Sequence, residues 1–453
     1  MKIAILGAGG MRLPLLYAAL IDRADALGLD ALALMDIDAD RLALMLAVAR
    51  AQGGAAPESL QVLSTVDLDQ ALDGATFVIT TFRVGDMQGR VADERIPLAH
   101  GLLGQETTGA GGFAMAMRTI PVLRQVIERM RRLCPEAWLV NFANPSGLLA
   151  EAARAAGWAR SVGICDAPSN IQRLAAHLLD VPASEVYLDY FGLNHLGWVR
   201  RVLHRGENYL PTFLSMIRAA GGFPGLPFEP DLLTALGMIP NEYLAYYYYA
   251  HQTLEEQRAS PQTRGEFLLE LNSGLLGDLA RLHAAGETAG MLDRYHAYLG
   301  QRSESYVRRT DASGGRTSLP AGMNPAEGGG YADVALDLIA SLLGRSLRVM
   351  ILNVPNRGAI QGMAPDEVVE IPVLVTANAL HPMAVGEIPG HALGLMQQVK
   401  AYERLTIEAA VEGSMGKALQ ALTLHPLVAD AGKARLVLDD FCREHAAAFP
   451  RLQ

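Results

Sequence analysis

The chain has 453 residues, half of them hydrophobic, and 38 basic against 48 acidic side chains give a net charge of −10. That length can bury one large core or two ordinary ones, and the acidic balance argues against nucleic acid as a partner, because phosphate binding needs a basic surface. No apolar run reaches the length of a membrane span, the first residues lead into a strand without a signal peptide, and three cysteines suit a reducing compartment; a cytoplasmic enzyme is expected.

In chain order, residues 2–7 predict a buried strand ending in Gly7-Ala8-Gly9-Gly10, and residues 15–26 predict a helix. Residues 31–35 predict a second strand that ends at Asp36. Strands are predicted again over 75–81, 138–142 and 161–164, with an amphipathic helix over 115–133 between them. Strands alternating with helices imply a parallel sheet with right-handed crossovers. The pattern then changes: 186–202 predicts strand, 242–252 an aromatic-rich helix beside a pocket, 347–354 and 368–375 strands, and 401–422 a long amphipathic helix. The glycine-rich stretches 311–317 and 326–330 are expected to be mobile loops. The expected fold is α/β, with a Rossmann-like doubly wound parallel sheet over 1–165 and an α+β domain packed against it over 166–453.

Gly7, Gly9 and Gly10, with Met11 and Arg12, stand between a strand and a helix. Glycines there permit a tight turn and bring a pyrophosphate close to the helix N-terminus. Arg12 replaces the third glycine of the usual fingerprint, so a nucleotide-free turn stays open. Asp36 can accept hydrogen bonds from a ribose diol and repel a 2′-phosphate, which favours NAD over NADP. Cys165 follows a predicted strand, and His195 sits beside Asn194 in an apolar run. A thiolate with an imidazole leaves most of a divalent ion's coordination sphere open, as Lewis-acid work requires; read alone, the two are equally at home in a core. Asn144-Pro145-Ser146-Gly147 offers amide and hydroxyl groups at the same sheet edge. Arg83, Arg90, Arg95 and Arg264 are candidates for an anionic substrate, or for solvated surface charge. Spacing alone does not separate Tyr243 from its neighbours Tyr246 to Tyr249.

The segments Phe82-Arg83-Val84-Gly85, Asp93-Glu94-Arg95-Ile96-Pro97-Leu98 and Gly104-Gln105-Glu106-Thr107-Thr108-Gly109, then Asn144 to Gly147, Gly163 to Pro168, Gly192 to Leu196 and Ala401 to Thr406, carry a resemblance. In that order, over almost the whole length, the chain resembles glycoside hydrolase family 4, the NAD- and metal-dependent glycosidases, and most closely its 6-phospho-β-glucosidase branch. The resemblance implies that Cys165 and His195 hold a divalent ion, usually manganese, on the sugar's 2- and 3-oxygens. It implies hydride transfer from C3 to NAD⁺, removal of the C2 proton by Tyr243, elimination of the aglycone, addition of water and return of the hydride. The logic is that an ordinary sugar C–H is too weak an acid for an enzyme base, whereas a position beside a metal-polarised ketone is not. It also places Arg83, Asn144 and Asn194 at the substrate and Arg264 at its 6-phosphate, where bidentate contacts suit the charge. A homodimer or homotetramer is implied, with a phosphorylated sugar as the small-molecule partner.

Two departures bear on specificity. Asp166, following Cys165, resembles the α-specific branch, where an aspartate at this place is proposed as the general acid. Gly9-Gly10-Met11-Arg12-Leu13-Pro14 differs from the usual nucleotide loop, which leaves 6-sulfo and uronate substrates open. The rivals are a lactate/malate-type NAD dehydrogenase and an inactive NAD-sensing protein. The presence of Cys165, His195 and Tyr243 together weighs against the latter.

Overall fold

The computed structural model describes residues 1–223, 226–304 and 330–453. Its first half is built on β1 (Lys2–Leu6), β2 (Ala31–Met35), β3 (Gln61–Thr65), β4 (Phe77–Thr80), β5 (Trp138–Asn141) and β6 (Ser161–Gly163). They lie in the order β3-β2-β1-β4-β5-β6, all parallel. The order reverses between β1 and β4, which opens a crevice at their carboxyl ends, where doubly wound sheets take ligands. β4 and β5 are buried at every residue, as strands covered by helices on both faces must be, whereas the edge strand β3 is largely exposed.

The second half extends this sheet. β7 (Tyr187–Leu193), β8 (Leu196–His204), β9 (Glu207–Asn208), β10 (Ile239–Pro240), β11 (Arg348–Pro355), β12 (Val368–Thr376) and β13 (Ala379–Pro382) complete thirteen strands among the described residues. β11 runs antiparallel to β6, with Asn353 opposite Gly163, and β12, β7, β8 and β10 follow outward. The α/β class and the parallel core are as expected. The later strands, however, join the sheet edge to edge and do not form a layer packed on its face.

Several element boundaries differ from the expected ones. The helix expected over 15–26 is Leu13–Asp22 plus a separate Ala24–Leu27. Residues 186–202 fold as the β7–β8 hairpin. The aromatic run over 242–252 is a 3₁₀ turn, Glu242–Leu244, followed by short helices Ala245–Tyr248 and Ala250–Ala259. The stretch 401–422 belongs to two helices, Gly390–Glu412 and Met415–Leu424, separated at Gly413, whose φ of 68° is left-handed. The helix expected from 115 starts earlier, as Gly109–Leu133, because tertiary contact overrides the weak propensity of its glycines. A Cβ on Gly111 would lie 2.1 Å from the carbonyl oxygen of Gln105, so only glycine lets the 104–108 loop rest against this helix. Stretches 311–317 and 326–329 lie outside the described residues, and Gly330 opens helix Gly330–Leu342.

Buried charges brace the layers that carry the crevice. Arg118 is fully buried and forms a bidentate pair with Asp93 at 2.7 and 2.6 Å, with His445 against both. Its Nε donates to the carbonyl of Val84 at 3.1 Å, which holds the loop after β4 in place. Lys400 joins Glu151 (2.7 Å) and Glu403, tying Gly390–Glu412 to helix Ser146–Ala155. No helix among the described residues is long and apolar enough to cross a membrane.

Candidate active site

A cavity of about 850 Å³ lies along the carboxyl ends of the parallel strands. The turn after β1 lines it with Gly7, Gly9, Gly10, Met11 and Arg12, and the end of β2 adds Asp36. Gly7 has φ 94°, and a Cβ there would stand 2.5 Å from the backbone nitrogen of Phe82; the tight turn needs glycine. Asp36 is 5 % exposed; it accepts from the Gly9 N–H at 2.7 Å and from the Asp38 N–H at 3.2 Å. A glycine turn leading into a helix N-terminus, with a buried carboxylate at the end of the next strand, suits a dinucleotide.

Arg83, Asn144, Cys165, Asp166, His195, Tyr243 and Arg264 line the same cavity, although they are scattered between positions 83 and 264 of the sequence. The strands explain why. Cys165 follows β6 and Asn144 follows β5, on adjacent parallel strands. His195 is the second residue of the two-residue loop between β7 and β8, with φ 63°. Asn194, the first, fastens that tip: its Oδ1 accepts from the Ser146 and Gly147 N–H groups at 3.0 and 3.4 Å, and its Nδ2 donates to Glu370 at 3.4 Å. Asn194 is absent from the lining, and its amide is spent on the protein, so it positions its neighbour where substrate contact was expected.

β10 pairs with β8, Pro240 opposite Trp198, and leads straight into the turn that carries Tyr243. The Asn241 side chain caps that turn, accepting from the Tyr243 N–H at 3.1 Å. The His195 and Tyr243 rings are thereby stacked, with centroids 3.6 Å apart and planes 9° from parallel. Of the tyrosines that follow, Tyr246 stays beside Tyr243, ring centroids 6.3 Å apart, whereas the others pack elsewhere: Tyr247 on Thr108 (2.6 Å), Tyr248 under the Trp198 N–H (2.9 Å) and Tyr249 on the Glu229 N–H (3.0 Å).

Cys165 and His195 are both buried, at 7 % and 5 % exposure. Burial pushes the Cys165 thiol well up, with Glu370 and Asp166 adding to the effect, and pushes His195 down to about 4. The ring is therefore neutral at ordinary pH and has a lone pair to offer. No group of three or more His, Cys, Asp or Glu with metal-holding geometry occurs among the described residues. A thiol and an imidazole lining one cavity still fit an ion that keeps most positions for substrate oxygens and water.

Glu106 was missed in the sequence, and so was the role of Arg90. Burial alone would raise the Glu106 carboxyl, but Arg83 and Arg90 outweigh it and hold it down at about 2, with Arg264 contributing. Arg83 contacts it directly and Arg90 Nη1 lies at 2.9 Å, while Arg90 Nε reaches Glu94 at 2.9 Å. Three guanidinium groups thus share one cavity carboxylate. The signal was present in the Gly104–Gly109 segment, but only the fold brings that segment to Arg83. Arg95, by contrast, pairs with Glu266 at 2.7 Å and is not among the lining residues. Arg12 lies 3.6 Å from Asp166, which links the glycine turn to the residue beside Cys165.

The family model described as "Family 4 glycosyl hydrolase" matches residues 2–181, and "Family 4 glycosyl hydrolase C-terminal domain" matches 190–428. The chain belongs to glycosyl hydrolase family 4. Among members of this family, a probable 6-phospho-β-glucosidase of Bacillus subtilis is 33% identical over 463 residues, covering 100% of this chain and 98% of that protein. The 6-phospho-β-glucosidase of Thermotoga maritima, solved with manganese, NAD⁺ and glucose-6-phosphate, superposes with a TM-score of 0.83 at 28% identity, covering 99% of this chain and 100% of the other. A 6-phospho-α-glucosidase from gut microorganisms, solved with NAD and Mn²⁺, gives 0.83 at 27%, covering 100% and 99%. The chain is therefore an enzyme of the phosphoglucosidase-containing family 4, similar to members of both anomeric types.

Proposed function

We propose that this family 4 enzyme hydrolyses 6-phospho-β-glucosides with NAD⁺ and a divalent metal. The observation that carries the reading is the convergence of Cys165, His195, Tyr243 and the Arg83–Arg90–Arg264 cluster on one cavity, beside the glycine turn and Asp36. The full-length similarity to a probable 6-phospho-β-glucosidase supports the anomer. NAD⁺ on the Gly7–Arg12 turn and Asp36, and an ion such as Mn²⁺ on Cys165 and His195, would supply reversible hydride acceptance at C3 and polarisation of the neighbouring sugar oxygens.

The remaining chemistry belongs to side chains of the chain. Tyr243 takes the proton from C2, a step for which its hydroxyl must lie beside the metal-binding wall, and its stack on His195 supports that placement. Asp166 gives a proton to the departing oxygen at C1. Arg264 holds the 6-phosphate, where charge-assisted bonds from a guanidinium suit the charge, and Arg83 meets the sugar hydroxyls. Asn144 also meets them. The His195 Nδ1 contact is the Thr107 hydroxyl at 3.0 Å and not a carboxylate, which sets the site apart from the His/Asp pair of a lactate-type dehydrogenase.

A second reading, the α-anomer, is favoured by one observation: a 6-phospho-α-glucosidase matches the whole chain as well as the β-type neighbour does. The test is hydrolysis of p-nitrophenyl 6-phospho-β-glucoside and its α-anomer, each with and without NAD⁺ and Mn²⁺. Turnover of the β-anomer only with both additions is expected. Turnover of the α-anomer alone would replace the proposal, and accumulation of NADH without sugar release would return the protein to the dehydrogenases.

A further inference from the structure

The loop Gln105 to Thr108, part of the segment that carries the family resemblance, reaches His195 through Thr107. Gln105 Oε1 receives the N–H groups of Thr107 at 2.6 Å and Thr108 at 2.8 Å. Both are backbone donors, so the atom facing them is the amide oxygen, and the flip state of the side chain is fixed. The same oxygen lies 3.1 Å from the Thr107 hydroxyl. An amide oxygen has no hydrogen to give, so in this contact the hydroxyl is the donor and spends its single hydrogen on Gln105. Thr107 Oγ1 is left with lone pairs alone, and it stands 3.0 Å from His195 Nδ1. The proton on that contact therefore belongs to the imidazole. Gln105, Thr107 and His195 are all buried.

We infer that Gln105 and Thr107 form a one-directional hydrogen-bond relay that locks His195 in its Nδ1–H tautomer and so commits the Nε2 lone pair to a divalent cation. Neither residue reaches the reacting atoms; both are positioning residues. A neutral imidazole has one protonated and one bare nitrogen, and the bond made by the first decides which is left for the metal. In the opposite tautomer Nδ1 would face an oxygen with no hydrogen to give, and a proton on Nε2 would block coordination. A hydroxyl that is itself donating is a polarised acceptor, which strengthens the Nδ1–H bond and makes Nε2 the better donor. The loop rests closely on the first turn of helix Gly109–Leu133, where a Cβ on Gly112 would meet the Thr107 carbonyl at 2.6 Å.

This inference rests on the reading of His195 as a metal ligand, and the experiment separates the two. Binding of MnCl₂ to the metal-free full-length protein is followed by the electron paramagnetic resonance of free Mn²⁺, with NAD⁺ binding as the check on the fold. Thr107→Val keeps shape and removes the acceptor; Thr107→Ser keeps the acceptor. The expected result is Mn²⁺ affinity about 10- to 100-fold weaker in Thr107→Val, restored in Thr107→Ser, with NAD⁺ affinity unchanged in both. Wild-type Mn²⁺ affinity in Thr107→Val, while His195→Asn has lost binding, would overturn the relay and leave the ligand. Thr107→Ser as weak as Thr107→Val would also overturn it. Unchanged Mn²⁺ affinity in His195→Asn would overturn the ligand reading and the relay with it. Should Thr107→Val fail to bind NAD⁺, nitrogen-15 spectra of histidine-labelled wild-type protein decide the matter: a protonated Nδ1 with a bare Nε2 on His195 is expected, and the reverse pattern refutes the relay.

Discussion

The imidazole of His195 lies flat on the phenol ring of Tyr243, centroids 3.6 Å apart. The contact joins the tip of one hairpin to the turn that follows its neighbouring strand, so it is created by the sheet and not by chain proximity. It puts the neutral imidazole proposed as a metal ligand and an ionisable hydroxyl side by side. A base that must remove a proton next to a metal-held oxygen needs this adjacency.

Replacing Tyr243 by Phe separates the two roles of that residue. The ring stack is kept and the hydroxyl is lost. The expected result is a kcat lower by about 10²- to 10⁴-fold, with Mn²⁺ and NAD⁺ affinities close to wild type. Exchange of the substrate's C2 hydrogen with deuterated water should vanish in the same variant, and exchange at the wild-type rate would assign the base to another residue.

Arg264 lines the cavity and adds to the positive field that lowers Glu106. Arg264→Gln should raise KM for a 6-phospho-glucoside by about 10- to 100-fold, the cost of one charge-assisted hydrogen bond, while kcat moves little. A KM that stays put would take the phosphate away from Arg264.

Asp166 lines the cavity and lies 3.6 Å from Arg12. If it protonates the leaving oxygen, Asp166→Asn should slow alkyl glycosides far more than p-nitrophenyl glycosides, whose leaving group needs little help. Equal losses across a leaving-group series would assign Asp166 to holding Arg12 instead.

Glu370 supplies a pH signature of stability. Burial pushes its carboxyl up from 4.5 to about 7, although Tyr190, Asn353 and Asn194 donate to it and oppose the shift. Between those values the folded protein binds the proton more readily than the unfolded chain. Stability is therefore full below 4.5 and is lost as pH rises through 7. Glu370→Gln removes this slope, by roughly 3 kcal/mol at the upper bound. Glu242, also raised by burial to about 7, leaves the variant a smaller slope of the same sign. Thermal melts of metal-free protein at pH 6 and pH 8 should show a larger drop for wild type than for Glu370→Gln; equal drops would place the titration elsewhere.

Sequence alone determined the parallel half of the molecule. The strand at Ala31–Met35 was legible to the residue, because a five-residue apolar run bounded by polar turns has few alternatives when helices cover both faces. The glycine turn, Asp36 and Cys165 were legible for the same reason: each sits at the end of such a run, where this topology puts its crevice. The tertiary structure alone decided what happens beyond β6. Antiparallel strands added to an existing edge carry no local mark of their partner, so nothing near Asn353 announced Gly163. Nor could spacing select Tyr243 from its row of tyrosines, turn Asn194 away from the cavity, or reveal that Glu106 gathers Arg83 and Arg90 and that Thr107 reaches His195. Those are contacts between residues tens to hundreds of positions apart, and their energies come from burial and hydrogen-bond complementarity that exist only once the sheet has brought the segments together.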